Sequence, residues 1–276
     1  MGKVYCSSDW HGSWDPAYKV LDFLEPDDKL FYLGDFADRG KDGVKIIQTL
    51  MKRPNTNFVL GNHDEFILQN IKNIEKETDE FLDLDPWNIS NDLNLWMMNG
   101  GGSTFGDISR LSKEERYEIY TFIRNIPLML YYDSPLGHSV ILEHAGYSPF
   151  IMPKRTHDSL WDREHFYDDW EDDKTIEIRE DGKELTAENT YLVHGHTPTQ
   201  YLTFDYGYKD QPPLTKEQMK MKNMWYKTDT GNQYIPEVIR YCDGHKFDVD
   251  MCTIASGRIA LLNLDTFETI YFDKGE

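Results

Sequence analysis

The chain has 276 residues, of which 39% are hydrophobic and 28% are charged, and its formal net charge is −20. This composition is typical of a folded globular protein, and the length is sufficient for a sizeable hydrophobic core. The strong negative charge repels nucleic-acid phosphates, which argues against DNA or RNA binding through a basic surface.

The cysteines and the N-terminal residues indicate the cellular compartment. Cys6, Cys242 and Cys252 are few and irregularly spaced, so they predict no disulfide framework. The chain contains no run of about 18 apolar residues, and its first residues, MGKVYCSSDWHG, lack the apolar core of a signal peptide. We therefore expect a soluble protein of the cytoplasm.

The first third of the chain alternates short β-type runs with segments of helical spacing. Strands are predicted at Lys3–Ser7, Leu30–Leu33 and Asn57–Leu60. Helices are predicted at Pro16–Leu24, at Val44–Met51 and from Phe66 to Ile74. This βαβαβα order predicts an α/β sheet with crossover helices.

The middle of the chain is predicted to be helical and then to form a hairpin. Residues 83–124 are mostly helical in pattern, with a break at Asn99–Thr104 (NGGGST). These glycines lack the spacing of a phosphate-binding loop, so we interpret them as a helix-breaking loop. The hairpin strands are predicted at Leu128–Tyr132 and Val140–Glu143, and the acidic run 168–173 is interpreted as a solvated loop.

The last part of the chain carries further strands and one segment of weak periodicity. Strands are predicted at Tyr191–Val193, Lys246–Val249, Arg258–Leu264 and Thr269–Phe272. Residues 201–242 are interpreted as an insertion or flap whose aromatic rings either pack together or form a lid that stacks on a substrate. We find no repeat or linker, and we predict a single domain over residues 1–276.

Polar side chains follow five of the predicted strands, at the point where each strand ends. The five loops have the sequences SDWHG (8–12), GDFADRG (34–40), GNHD (61–64), HAG (144–146) and HGHTP (194–198). Each fragment alone is also typical of a turn or a helix cap. Ligands of α/β sheets gather at the carboxyl ends of strands, where such loops leave the sheet. Their joint occurrence therefore predicts one shared site.

The residue types in these loops suit metal-assisted phosphate chemistry. Aspartate oxygens, an asparagine carbonyl and several imidazoles fit Mn²⁺, Fe or Zn²⁺ better than Ca²⁺, and the absence of cysteine ligands argues against a structural zinc site. Two metal ions about 3.5–4 Å apart can activate a water molecule and clamp phosphoryl oxygens. Such assistance is needed because phosphate monoesters hydrolyse extremely slowly without a catalyst.

The motifs DxH, GDxxDRG, GNHD, HAG and GHTP, in this order over residues 7–198, resemble those of the two-metal phosphoprotein phosphatases. These enzymes belong to the calcineurin-like metallophosphoesterase superfamily, and the likeness is greatest to the bacterial and phage branch typified by lambda phage protein phosphatase. The resemblance implies an α/β sandwich of two mostly mixed β-sheets flanked by helices. It also implies a metal site at the carboxyl ends of the strands.

The resemblance further implies two divalent metal ions, Mn²⁺ in the first instance and Fe or Zn²⁺ as alternatives. The first ion would be bound by Asp9 and His11, Asp35 would bridge both ions, and the second would be completed by Asn62, His144 and His196. Many relatives end this pattern in GHxH, whose last histidine also binds metal. Pro198 takes that place here, which favours the phosphatase branch over phosphodiesterases and nucleases.

The same resemblance assigns the catalytic and phosphate-binding residues. His63 resembles the general acid that protonates the leaving alkoxide, and Asp38 would hold its imidazole in the useful tautomer. Arg39 would bind phosphate oxygens with its planar fork, and Asn62 would add a contact. Arg163 matches the arginine of a W-x-R motif and would be a second phosphate clamp, although WDR alone could also begin a helix.

Two positions depart from the protein-phosphatase pattern. The family usually has arginine before GNHE, whereas Leu60 precedes GNH here and Asp64 follows it. The sequence LGNHD is typical of the related symmetrical diadenosine tetraphosphatases, so a dinucleoside polyphosphate or nucleotide hydrolase is the alternative function.

The leading hypothesis remains a phosphatase acting on phosphorylated Ser, Thr or Tyr side chains, or on small phosphoesters, by attack of a hydroxide held between two metals. An inactive phosphate-binding module is a further possibility, but it should have lost a ligand or the general acid. None of these residues is missing.

Overall fold

The computed structural model describes residues 2–71, 91–146, 156–171, 175–179, 181–206 and 235–275. The strands are β1 (Val4–Ser7), β2 (Lys29–Tyr32), β3 (Thr56–Phe58), β4 (Met129–Asp133), β5 (Ser139–Glu143), β6 (Thr175–Ile178), β7 (Glu184–Thr186), β8 (Thr190–His194), β9 (Ile239–Tyr241), β10 (Lys246–Asp248), β11 (Arg258–Asn263) and β12 (Thr269–Asp273). The α-helices are α1 (Trp14–Phe23), α2 (Gly43–Lys52), α3 (Asn62–Asn70), α4 (Asn91–Met98), α5 (Gly102–Ser109), α6 (Lys113–Arg124), α7 (Thr199–Tyr206) and α8 (Thr253–Ser256).

The strands form two mixed five-stranded sheets. The first has the order β12-β11-β1-β2-β3, with β1, β2 and β3 parallel and with antiparallel pairing of β1 with β11 and of β11 with β12. The second has the order β4-β5-β8-β10-β9, with β5, β8 and β10 parallel and antiparallel edge strands β4 and β9. The predicted fold of two mostly mixed sheets flanked by helices is confirmed.

Successive side chains of the strands point to opposite faces of the first sheet, and both faces pack in a hydrophobic core. Leu30 and Tyr32 in β2 belong to the cluster that includes the apolar residues of α1 and α2. The alternate residues, Phe31 and Leu33, instead contact the second sheet, in a cluster with Val140 of β5. Because successive side chains of a strand point to opposite faces, one sheet serves both layers.

The parallel direction of the strands places the polar loops at one edge of each sheet. The carboxyl ends of β1, β2 and β3 are at one edge of the first sheet, and those of β5 and β8 are at one edge of the second. His144, which directly follows β5, donates from Nδ1 to the carbonyl of Leu33 at 2.7 Å, which joins these two edges. The loops of both sheets therefore meet.

Most predicted elements of the first third occur within one or two residues of their predicted bounds. α2 illustrates the reason, since Ile46, Ile47 and Leu50 recur at helical spacing and are fully buried. The predicted helix from Phe66 to Ile74 corresponds to α3, and residues 72–74 lie outside the described ranges.

Three regions differ from the predictions. α5 already begins at Gly102, so the predicted break at Asn99–Thr104 is shorter. One left-handed glycine, Gly100 with φ of +97°, is enough to end α4. The β6–β7 hairpin was not predicted. Within the proposed 201–242 insertion, Tyr201–Tyr206 lie in α7 and Ile239–Tyr241 form β9, whereas residues 207–234 lie outside the described ranges.

Three further predictions concern the acidic run, the number of domains and membrane-spanning segments. The acidic run predicted as a solvated loop is partly packed, since Trp170 is buried and the carbonyl of Asp168 accepts Lys246 Nζ at 2.7 Å. Residues 172 and 173 lie outside the described ranges, and the single domain stays a prediction. In the part of the chain that the structure describes, no helix is long and apolar enough to cross a membrane.

Candidate active site

Backbone and side-chain hydrogen bonds fasten the five polar loops to one another. The N–H groups of Asp9 and His11 donate to the carbonyls of Gly34 and Asp35, each at 3.1 Å. The N–H of His196 donates to Asp9 Oδ2 at 3.0 Å, which ties the loop after β8 to the loop after β1. The loops therefore form one structure.

Several site residues have an unusual backbone conformation. Left-handed φ angles between 44° and 70° occur at Asp9, His11, Asp35, Asp38, Arg39 and His196. For residues other than glycine this conformation is sparsely populated, and it persists where the surrounding structure holds it. Such residues cluster at active sites, and here all six lie in the polar loops that the sequence singles out.

His11 presents one nitrogen to two carboxylates. Its Nδ1 donates to the carbonyl of Ala37 at 2.9 Å, which leaves a lone pair on Nε2. Nε2 lies 3.8 Å from Asp9 Oδ1 and 3.5 Å from Asp35 Oδ2. Burial lowers the pKa of His11 to about 3, so the imidazole is neutral, which is the form that binds a metal ion.

A second group of polar atoms lies on the other side of Asp35. His144 Nε2 is 3.5 Å from Asp35 Oδ1 and 2.9 Å from Asn62 Oδ1. His196 Nδ1 is 2.9 Å from the same Asn62 oxygen. Burial lowers the pKa of His196 well below its usual range, and the positive charge of Arg163 adds to this effect.

These atoms fit a pair of divalent metal ions. Among the described residues, the ligand atoms of His11, Asp35 and His63 lie within 4.8 Å of one another, as do those of Asp9, Asp35 and His144, and Asp35 is common to both groups. Asp9 Oδ1 is buried and has no hydrogen-bond partner in the described part of the chain. A buried carboxylate oxygen is costly without a donor or a cation, so this donor set suits metal binding.

His63 and Arg39 lie beside the first group. His63 Nδ1 donates to Asp38 Oδ2 at 2.7 Å, and both side chains are buried. The Arg39 guanidinium donates from one nitrogen to His63 Nε2 at 2.9 Å and from another to His11 Nε2 at 3.0 Å. The proposed general acid, its orienting carboxylate and the proposed phosphate ligand are therefore in direct contact.

Two residues discussed in the sequence analysis, Arg163 and Leu60, lie outside this buried group of polar side chains. Arg163 is exposed, and its positive charge lowers the pKa of His196. Leu60 is 3% exposed and belongs to the core cluster that includes Phe66 and Ile67. The substitution Leu60→Arg would bury a guanidinium among apolar side chains and would therefore destabilise the fold.

The structure places two further residues, Trp96 and Thr104, against Asp38, and no sequence motif predicted either of them. Trp96 Nε1 donates to Asp38 Oδ2 at 2.7 Å, and the N–H of Asp38 donates to Thr104 Oγ1 at 2.8 Å. The only sequence signal for them is their position on either side of the glycine run that follows α4. The sequence assigned no role to Asp64, which was noted only because the family usually has glutamate at that position.

Asp64 fastens the loop that carries Asp35. Its Oδ2 accepts the N–H groups of Asp35 at 2.8 Å and Gly61 at 3.0 Å, and its Oδ1 accepts that of Phe36 at 3.1 Å. Asp64 is fully buried. We expect Asp64→Ala to lower the free energy of unfolding by about 3 kcal/mol, because it leaves buried N–H donors unpaired.

Urea denaturation measures this effect, and Asp42→Ala is the matched control. Asp42 precedes α2 as its N-cap but makes no side-chain capping bond, so its replacement should change stability by less than about 0.5 kcal/mol. Equal losses for the two variants would contradict the role of Asp64.

The fold and the site together define a class of protein. Two mixed five-stranded sheets flanked by helices, with aspartate, asparagine and histidine loops at the carboxyl ends of their strands, constitute the α/β metallophosphoesterase fold. The chain belongs to the calcineurin-like phosphoesterase family, whose profile matches residues 2–223. Members are hydrolases that bind divalent metal ions.

Comparison with curated proteins finds relatives over part of the chain. The chain is 35% identical over 68 residues to the symmetrical bis(5'-nucleosyl)-tetraphosphatase of Legionella pneumophila strain Lens, and 34% identical to that of strain Corby. Each match covers 23% of this chain and 25% of the relative, so the matched segment spans about a quarter of the relative's length.

Solved structures resemble the whole chain at low sequence identity. A proposed diadenosine tetraphosphatase has a TM-score of 0.52 at 16% identity, covering 100% of this chain and 95% of that one. A protein serine/threonine phosphatase from Saccharomyces cerevisiae has a TM-score of 0.49 at 13% identity, covering 100% and 81%. At such identity the first of these likenesses shows the fold alone.

Proposed function

We propose that the protein hydrolyses phosphate monoesters, with phosphorylated Ser, Thr or Tyr side chains of proteins as its substrates. The supporting observation is the position of the Arg39 guanidinium, which contacts both His11 Nε2 and His63 Nε2. A phosphoryl group bound by this fork would lie beside a metal-ligand histidine and beside the general acid. That is the arrangement needed to break a phosphate–oxygen bond.

The metal-binding residues in this proposal are Asp9 and His11 for one ion, Asn62, His144 and His196 for the other, and Asp35 for both. When bound, two such ions lower the pKa of coordinated water and neutralise charge on the phosphoryl oxygens. The backbone carbonyls of Ala37 and Leu33 orient two of the imidazoles, because each accepts a hydrogen bond from Nδ1 and so directs Nε2 inward. We propose Mn²⁺ as the ion, with Fe or Zn²⁺ as alternatives.

His63 acts as the proton donor to the leaving oxygen. Its Nδ1 proton is held by Asp38, so the transferred proton would be a second one on Nε2, the nitrogen that accepts from Arg39 here and would be released when Arg39 binds a phosphate. Asp38 stabilises the protonated imidazole and fixes its orientation. Arg163, at the surface near His196, provides a second positive charge for the phosphate or for the remainder of a phosphorylated substrate.

Replacing Arg39 tests the phosphate-binding role. We expect Arg39→Ala to reduce kcat/KM by roughly 10–100-fold, because a charge-assisted hydrogen bond to a phosphate contributes about 1.5–3 kcal/mol. Arg39→Lys is the matched control that keeps the charge but loses the fork, and it should recover part of the loss. Arg163→Ala should cost less, because exposed charges are screened. Unchanged steady-state kinetics of Arg39→Ala would contradict the assignment.

Symmetrical hydrolysis of dinucleoside polyphosphates is the second candidate. Two observations favour it: the 68-residue match to the Legionella tetraphosphatases, and the LGNHD sequence, in which Leu60 packs in the core and supplies no phosphate ligand. Both activities would use the same metal and proton-donor groups. The difference lies in the leaving group, which is an alcohol or phenol in one case and a nucleotide in the other.

Side-by-side kinetics of the Mn²⁺-reconstituted protein distinguish the two activities. The substrates are p-nitrophenyl phosphate, phosphoserine, phosphothreonine and phosphotyrosine peptides, and diadenosine tetraphosphate. We expect the highest kcat/KM for a phosphopeptide. A higher value for diadenosine tetraphosphate, with ADP as the product, would reverse the choice.

A further inference from the structure

The segment from Trp96 to Thr104, which includes the end of α4 and the start of α5, contacts Asp38, the partner of the proposed general acid, from outside the metal-binding loops. Trp96 Nε1 donates to Asp38 Oδ2 at 2.7 Å, and the same oxygen accepts His63 Nδ1 at 2.7 Å. Trp96 and Asp38 are fully buried, and His63 is 1% exposed. Asp38 Oδ1 has no hydrogen-bond partner among the described residues. Both donors therefore converge on one carboxylate oxygen.

The same segment also holds the backbone of Asp38 and Arg39. These two adjacent residues have left-handed φ angles of 70° and 64°, a strained arrangement for residues other than glycine. The N–H of Asp38 donates to Thr104 Oγ1 at 2.8 Å, and the N–H of Arg39 donates to the carbonyl of Gly100 at 2.9 Å. The turn is thus supported by residues that are distant in the chain.

The indole of Trp96 is itself held in place. The N–H of Gly101 donates to the carbonyl of Trp96 at 3.0 Å, and a Cβ added at Gly101 would overlap the indole ring. The ring of Phe105 packs edge-on against the indole, with 6.0 Å between ring centroids. The indole N–H therefore has little freedom to leave Asp38.

We infer that Trp96 is a positioning residue for the general acid. Its N–H fixes the Asp38 carboxylate, and the fixed carboxylate keeps the proton of His63 on Nδ1 and directs Nε2 toward the leaving group. This inference rests on the proposed role of His63. Loss of an outer hydrogen-bond partner of a metal ligand commonly lowers metal affinity or activity by roughly 10–100-fold, and we expect the lower end of that range here because Trp96 acts on His63 through Asp38. The loss here should depend on how much the leaving group needs a proton.

Trp96→Phe, in the Mn²⁺-reconstituted 276-residue chain, removes the N–H and keeps an aromatic ring. We expect kcat to fall by roughly tenfold for phenyl phosphate and clearly less for p-nitrophenyl phosphate, whose leaving group needs little protonation, with KM unchanged. The control Trp170→Phe removes another buried indole N–H, which donates to the carbonyl of Ala187 at 3.0 Å and does not touch Asp38. It should lower the Tm and leave the ratio of the two rates as in the wild type.

A second variant and a spectroscopic signal give independent tests. Gly101→Ala keeps the indole N–H but displaces the ring, and it should reproduce the loss that depends on the leaving group. In proton NMR, the Nδ1–H of His63 should resonate far downfield in the wild type and move upfield in both Trp96→Phe and Gly101→Ala. An unchanged signal in both variants, or equal rate losses for the two substrates, would overturn the inference.

These tests separate the role of Trp96 from the proposed function. The aryl phosphates report on proton donation whatever the natural substrate is. If His63→Asn itself reduced both rates equally, the general-acid assignment would fail, and the NMR signal would still decide whether Trp96 positions His63 through Asp38.

Discussion

His63→Asn is expected to lower kcat by roughly 10²–10⁴-fold, the range typical of general acid catalysis. His63 Nδ1 is 2.7 Å from Asp38 Oδ2, and its Nε2 faces the Arg39 fork, so the imidazole is oriented to deliver a proton beside a bound phosphate. The loss should be smaller for p-nitrophenyl phosphate than for a phosphoserine peptide, because nitrophenolate leaves without a proton. Steady-state kinetics on the two substrates measure the difference.

The control for this substitution is His138→Asn. His138 is half-buried near the β4–β5 hairpin, where its Nε2 bonds the carbonyl of Leu264, and it is remote from the polar loops. It should retain wild-type kinetics. The metal content of His63→Asn should also be retained, because His63 is not a proposed ligand. If His63→Asn lost its metal, the grouping of His63 with His11 and Asp35 within 4.8 Å would instead indicate a ligand role.

Asp35→Asn is expected to abolish tight binding of the metal pair. One carboxylate oxygen of Asp35 lies 3.5 Å from His11 Nε2 and the other lies 3.5 Å from His144 Nε2, so this side chain is shared by both proposed sites. An amide has no formal charge to offset two divalent ions. After Mn²⁺ reconstitution, elemental analysis should find about two ions per chain in the wild type and clearly fewer in the variant.

Activity should fall together with the metal content, by more than the roughly 100-fold loss typical of an outer hydrogen-bond partner. Asp28→Asn is the matched control, because Asp28 is also a buried aspartate but precedes β2, at the end of the strand opposite to the site. A binding-linked rise in Tm on adding Mn²⁺ gives a second readout, which should persist in Asp28→Asn and vanish in Asp35→Asn. A variant with full metal content and full activity would refute the shared-ligand proposal.

The sequence by itself determined the local elements and the chemistry of the loops. β1, β2 and β3 and the helices between them were predicted because apolar periodicity is a local property, visible within about ten residues. The joint occurrence of five loops that carry aspartate, asparagine or histidine at strand ends predicted a metal and phosphate site. The β6–β7 hairpin was missed because its core contacts, through Ile176 and Leu185, come from residues far away in the chain.

Only the tertiary structure decided which side chains meet. His196 Nδ1 and Asn62 Oδ1 are 134 residues apart in the chain and 2.9 Å apart in space, and Trp96 reaches Asp38 across 58 residues. It also decided that Leu60, at the position of a family arginine, packs in the core instead of facing the phosphate loops. Periodicity and motifs report on neighbours along the chain, whereas these contacts depend on how sheets and helices pack, which no local pattern encodes.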